Sequence, residues 1–281
     1  MNLTVKTVMV GSMLFAGLLT PVFMTGKDTG ESTRRITGFT ALLIENPTTK
    51  TGSKDPVSTG NSKPIALGKT NASAKKNTSS KLADEATAIY TELGLRARGL
   101  SAAAFQHAWR GYKNLRQMGK LRRGDVLSIC DFSQSSRRKR MYIIDVEEMK
   151  LLVHTYVAHG RNSGGEYAKQ FSNRPESHQS SLGFYVTRQT YFGEHGLALK
   201  IDGVERGIND KASARNIVVH GSDYVGSDFL RSNKFNGRSF GCPAVPREQS
   251  KKVINAIKHG SCLFIYHPSK KYLAKSQILN A

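Results

Sequence analysis

Residues 141–158 read MYIIDVEEMKLLVHTYVA: an apolar run from Met141 to Val146, a short polar turn at Glu147–Lys150, and a second apolar run from Leu151 to Ala158. Two short runs rich in β-branched and aromatic residues, joined by so few polar ones, predict a β-hairpin. The same pattern extends outward. Val126–Phe132 predicts a strand before the hairpin, and Gly183–Thr187, Leu197–Ile201, Ile217–Val219 and Cys262–His267 predict strands after it. Helical spacing is confined to three places. Ala83–Leu93 carries Ala86, Ile89, Tyr90 and Leu93 on one face. Ala102–Met118 has Ser101 as N-cap and Gly119 just past its end, with Phe105, Ala108, Tyr112 and Leu115 as its inward stripe. Ser250–Lys258 predicts a short third helix. Strands with small helices at the front and near the end make a mostly β or α+β domain. The polar, aperiodic stretch from Gly160 to Ser181 is too long for a passive connection, and loops of that length in a compact domain usually carry function.

The flanks bound the compartment and the partners. Residues 1–26 hold one positive charge near the start and an apolar stretch from Thr7 to Met24, the pattern of a signal peptide or membrane anchor. No cysteine follows it to take a lipid. Residues 27–80, rich in Thr, Ser, Lys, Asn and Gly, predict a flexible basic tether. A helical extension over 81–124 and a β-rich domain over 125–281 complete the expected organisation. The expected location is the periplasm or cell envelope, with or without a membrane anchor.

With 42 Lys+Arg against 21 Asp+Glu the chain carries +21, of which +15 falls in residues 81–281. Such an excess calls for an anionic neighbour, here an anionic cell-envelope polymer. The cluster Arg137-Arg138-Lys139-Arg140 lacks the interleaved aromatics that stack bases, so nucleic acid is not the expected partner. No Cys-x-x-Cys or His-Glu-x-x-His spacing occurs, and no metal or other cofactor is expected.

Three cysteines are too few for a disulfide scaffold. Cys130 and Cys262 sit in apolar runs and read as buried strand residues, with a disulfide open to them if their strands are neighbours. Cys242 is different. It lies in Arg238-Ser239-Phe240-Gly241-Cys242-Pro243-Ala244, and the strand Ile217-Val218-Val219 delivers His220-Gly221 upstream of it. A thiol attacks carbonyls as its thiolate, so it needs a base such as a histidine held at a strand end. Gly241 permits close backbone approach, and amides flanking the thiol can donate to a developing oxyanion.

Further blocks stand in order around this pair: Val157-Ala158-His159-Gly160-Arg161-Asn162-Ser163-Gly164, Phe171-Ser172-Asn173, Ser180-Ser181-Leu182-Gly183-Phe184-Tyr185, Gly207-Ile208-Asn209-Asp210 and Ala214-Arg215. Together with His220-Gly221 and Ser239-Phe240-Gly241-Cys242 they resemble the murein L,D-transpeptidase catalytic domain family (YkuD-like), from about Leu100 to Tyr266. The resemblance implies the β-rich fold of that family with an N-terminal helical extension. It implies Cys242 as nucleophile, His220 as general base, amides of Gly241 and Cys242 as oxyanion donors, and Ser239 and Arg238 as support for the loop. His159, Arg161, Gly183 and Gly221 are candidate substrate-binding positions, and Asp223 or a backbone carbonyl is the candidate partner orienting His220. One departure stands out: Phe240 occupies the place where most of the family has histidine. The implied activity is acyl transfer from tetrapeptide stems of peptidoglycan through a Cys242 thioester, giving a 3→3 cross-link. With water as acceptor the same site is an L,D-carboxypeptidase. A non-catalytic protein that holds an envelope polymer is the reading from another class.

Overall fold

The computed structural model describes residues 70–281, with side chains from Ser80 onward; the expected signal or anchor over 1–26 and the tether up to residue 69 lie outside the described residues. Helix α1 (Thr70–Glu92) starts earlier than expected, so residues 70–80 of the expected tether are helical. The local sequence, with Ala72, Ala74 and three nearby lysines, favours helix once propagation from the packed end begins. Helix α2 (Ala102–Gln117) begins where the cap predicts, with Ser101 Oγ accepting from the Ala104 N–H at 3.1 Å.

Eight strands follow: β1 (Val126–Asp131), β2 (Met141–Asp145), β3 (Lys150–Thr155), β4 (Gly183–Gly193), β5 (Gly196–Gly203), β6 (Val218–Ser222), β7 (Ala244–Pro246) and β8 (Cys262–Tyr266). They form one sheet in the order β3-β2-β1-β8-β4-β5-β6-β7. The β1–β8 and β6–β7 pairs are parallel and the rest antiparallel. The two outer strands do not stay apart. Just past β3, Ala158 bridges Ala244 of β7, and Gly160 bridges Ser239. The edges therefore meet, giving a barrel-like, β-dominated domain whose seam runs beside Cys242.

Helix α2 lies on β1 and β8 and buries Phe105, Ala108, Tyr112 and Leu115, the stripe its spacing predicts. Gly111 allows this approach, because a Cβ there would stand 1.9 Å from the Phe184 ring. Phe184 stacks in turn on Phe264, with ring centroids 4.1 Å apart. Helices α3 (Ser227–Ser232), α4 (Arg247–Ile257) and α5 (Lys270–Lys275) complete the domain, with Val253, Ile254 and Ile257 of α4 buried against the sheet.

Cys130 and Cys262 do lie on neighbouring strands, but the register rules out a bridge. Cys262 pairs with Leu127 and Cys130 with Ile265, which separates the two cysteines by three residues, about 10 Å along the strand, beyond disulfide reach.

Candidate active site

Cys242 stands at the end of the 233–242 loop, immediately before β7. Ala244 pairs with His220 in parallel register, so the thiol comes to rest beside Val218, two residues before His220. Its Sγ accepts from the Val218 N–H at 3.5 Å and donates to the Asn216 carbonyl at 3.7 Å. No hydrogen bond joins Sγ to the His220 ring among the described residues. Burial raises the thiol's pKa, while the Val218 N–H and the Arg215 guanidinium pull it down by less. The group at rest is thus a thiol whose proton is parked on a carbonyl.

His220 is 3% exposed, held between β5 and β7. Its Nδ1 lies 3.1 Å from the Gly221 carbonyl. A carbonyl only accepts, so Nδ1 carries the proton and Nε2 keeps the lone pair of the neutral ring. Burial lowers the pKa first, and His195 and Arg247 act in the same direction. A neutral imidazole is the form that takes a proton. Of the two expected orienting groups, the backbone carbonyl holds the ring. Asp223 is turned to Arg247 instead, at 2.6 Å.

The nucleophile's loop is held by its own serine and by the long 160–181 loop. Ser239 Oγ donates to the Cys242 carbonyl at 2.6 Å and accepts from the Gly241 N–H at 3.0 Å. The Gly241 amide, an expected oxyanion donor, is thus engaged by Ser239 Oγ in the resting loop. Gly241 has φ +129°, and a Cβ there would meet the Gln179 carbonyl at 2.9 Å and Ile217 at 3.0 Å. Ser180 Oγ donates to the Gly241 carbonyl at 3.1 Å, and the Arg161 N–H to the Ser239 carbonyl at 2.7 Å. The 160–181 loop is thus the wall of the site.

Other residues expected to contact substrate have close neighbours within the protein. His159 is fully buried, and its Nδ1 lies 2.7 Å from Nη2 of the equally buried Arg140. Burial, then Arg140, depresses its pKa to about 3, so the ring is neutral and Nδ1 accepts. It completes the bonding of a guanidinium that also donates to the Val157 and Gln134 carbonyls. Gly183 and Gly221 are packing positions as well. A Cβ on Gly183 would lie 2.3 Å from Glu205 Oε1, and one on Gly221 would lie 2.8 Å from Ser250 of α4. Arg161 and Arg238, by contrast, reach the surface beside the thiol loop.

Two residues near Cys242 and His220 had no role assigned from sequence, Arg215 standing there only within a matching block. Arg215 donates to the Ser172 and Gln179 carbonyls and to the hydroxyls of Ser177 and Ser181, at 2.6–3.2 Å. It thereby gathers the 172–181 loop and sets a positive charge near Cys242. His195, on the β4–β5 turn, covers the His220 ring. Phe240 is 63% exposed, with the His178 ring 4.5 Å and the Arg161 guanidinium 5.7 Å from its centroid.

The chain has distant likenesses among solved structures and a family match. Among solved structures it is similar to an L,D-transpeptidase from Mycobacterium smegmatis, at 11% identity over 51% of this chain and 59% of that one, with a TM-score of 0.32. It is also similar to L,D-transpeptidase 3 from Mycobacterium tuberculosis, at 14% identity over 51% and 61%, TM-score 0.33. The helical cell shape determining protein of Campylobacter jejuni matches at 15% identity over 61% and 62%, TM-score 0.35. The chain spans about three fifths of the length of each. No curated protein matches it significantly. The L,D-transpeptidase catalytic domain profile matches residues 96–266, more than half of the sequence and all eight strands. The chain belongs to the L,D-transpeptidase catalytic domain family.

Proposed function

We propose that this protein is a cysteine acyltransferase of the peptidoglycan, acting on tetrapeptide stems through a Cys242 thioester. The observation that carries the reading is a half-buried thiol set against the strand that bears a neutral histidine, whose Nδ1–H is fixed on the Gly221 carbonyl. In the forward step the thiol leaves the Asn216 carbonyl, gives its proton to Nε2 of His220, and Sγ attacks the carbonyl at stem position three. The Cys242 N–H donates to the oxyanion. Collapse breaks the C–N bond to the terminal D-alanine, whose nitrogen takes the proton back from Nε2. An amine of a second stem then attacks the thioester and restores the thiol, giving the 3→3 cross-link. Water in that place gives an L,D-carboxypeptidase from the same first half-reaction. The absence of a resting Sγ–imidazole hydrogen bond fits a pair that tightens only around bound substrate.

The same reading puts the domain in the periplasm or cell envelope, carried on the basic tether. Mass spectrometry of disaccharide-tetrapeptide after incubation with the full chain tests the activity. Cross-linked dimer marks the transpeptidase, and trimmed disaccharide-tripeptide marks the carboxypeptidase. Unchanged substrate with both wild type and Cys242→Ala favours the polymer-holding alternative.

A further inference from the structure

Next to the thiol loop opens a cleft of about 590 Å³ whose lining includes Arg161, Lys234, Arg238, Phe235 and Phe240. That volume lies within the range of small-ligand sites. No aspartate or glutamate lines it. Among the described residues, none of its three cations forms an ion pair; the carboxylates that do pair are engaged elsewhere. Arg137 adds a fourth positive charge behind the wall, donating to the Lys234 carbonyl.

The two arginines have partners at the cleft wall. The Arg238 guanidinium donates to the Gly164 carbonyl at 3.2 Å and lies 5.7 Å from the Phe235 ring centroid. Arg161 is tied through its N–H to Ser239 and lies over Phe240. Under the loop, buried Asn236 accepts from the Gly226 N–H at 2.8 Å and donates to the Ser136 carbonyl. Like charges gathered without counterions repel one another, and the site recovers that energy when an anion enters. A guanidinium presents a planar fork that matches a planar carboxylate.

Phe240 joins this cleft to the chemistry. It stands two residues before Cys242, so their Cα atoms are no more than about 7 Å apart. We propose that the cleft formed by Arg161, Lys234 and Arg238 beside Phe240 seats a carboxylate of the acyl-donor peptide and so sets its scissile carbonyl at Cys242. The assignment rests on the acyl-transfer reading and adds to it the feature of the donor that is recognised.

The test compares the full-length wild type with an Arg161→Gln/Lys234→Gln double variant and a charge-keeping Arg161→Lys/Lys234→Arg variant. The first readout is the rate of Cys242 alkylation by anionic iodoacetate divided by that for neutral iodoacetamide, at low salt. Cys130 and Cys262 are fully buried and do not compete. The double glutamine variant lowers this ratio by about threefold or more and the charge-keeping variant retains it, as a local field of two cations requires. The second readout is turnover of disaccharide-tetrapeptide, where the glutamine variant raises KM by about tenfold or more with a smaller change in kcat, as lost ground-state binding does. An unchanged ratio, or an unchanged KM in an active enzyme, overturns the cleft assignment and leaves the acyl-transfer reading standing. Wild type that leaves the tetrapeptide untouched sinks that reading and the donor assignment with it.

Discussion

The imidazole of His195 lies face to face with that of His220, centroids 4.4 Å apart and planes 21° from parallel. The first ring comes from the turn joining β4 to β5 and the second from the buried strand β6, so a hairpin tip covers one face of the proposed base. Stacked rings of this kind contribute about 0.5–1.5 kcal/mol beyond area burial. His195→Ala is expected to lower kcat/KM by about threefold to tenfold, and His195→Phe, which keeps a flat partner, is expected to recover most of it. Equal loss in both variants would show that the imidazole acts through its nitrogens and not through its face.

Burial disfavours both the Cys242 thiolate and the His220 imidazolium, so the resting pair is neutral on both sides. The rate of Cys242 alkylation by iodoacetamide should therefore climb steadily between pH 6 and 8, about tenfold per pH unit, because the thiolate fraction does so below the thiol's raised pKa. A preformed thiolate–imidazolium pair would give a plateau over that range instead, and stopped-flow measurement across it separates the two. His220→Ala should lower peptide turnover by about 10²–10⁴-fold, the usual contribution of a general base.

Ser239 joins two backbone groups of the nucleophile loop, and removing its hydroxyl leaves the Gly241 N–H without its acceptor. Ser239→Ala is expected to destabilise the domain by about 1–2 kcal/mol in urea unfolding. Turnover should fall further than stability explains, because the carbonyl of Cys242 loses its anchor. Loss of stability with kcat preserved would mean that the loop keeps its shape without Ser239.

For His159 the expectation is reversed. His159→Ala leaves Nη2 of the buried Arg140 without its partner and should cost about 1–3 kcal/mol. The folded fraction should still turn over substrate normally. A rise in KM with unchanged stability would restore the substrate-contact role to this residue.

Much of the strand framework could be read from the chain because it is written in burial. Val126–Asp131 and Cys262–Tyr266 are hidden at nearly every position, and apolar runs of that length predict such strands. The β4 arm beyond Thr187 was not legible. Arg188 to Glu194 are largely exposed and are held by cross-strand register, which leaves no apolar pattern to find. Strand β7 escaped because it has three residues, one of them Pro246. At the site, residue type and context nominated His220 and Cys242 for the proposed roles of base and nucleophile. No role could be read for Arg215 or His195, since their contacts are with partners tens of residues away. Gly183 and Gly221 show the converse: a glycine kept small for packing reads the same in sequence as one kept small for substrate.

The bridge between Ala158 and Ala244 joins segments far apart in sequence, and the nucleophile loop lies along that closure. Such long-range pairings form late, after the local hairpins and helices have reduced the search. Until they form, Cys242 has neither the Val218 amide nor the Arg215 charge near it and is an ordinary cysteine. The closure thus builds the surroundings of this thiol: Cys242 gains its present neighbours only when the first strands of the chain and its last ones have found each other.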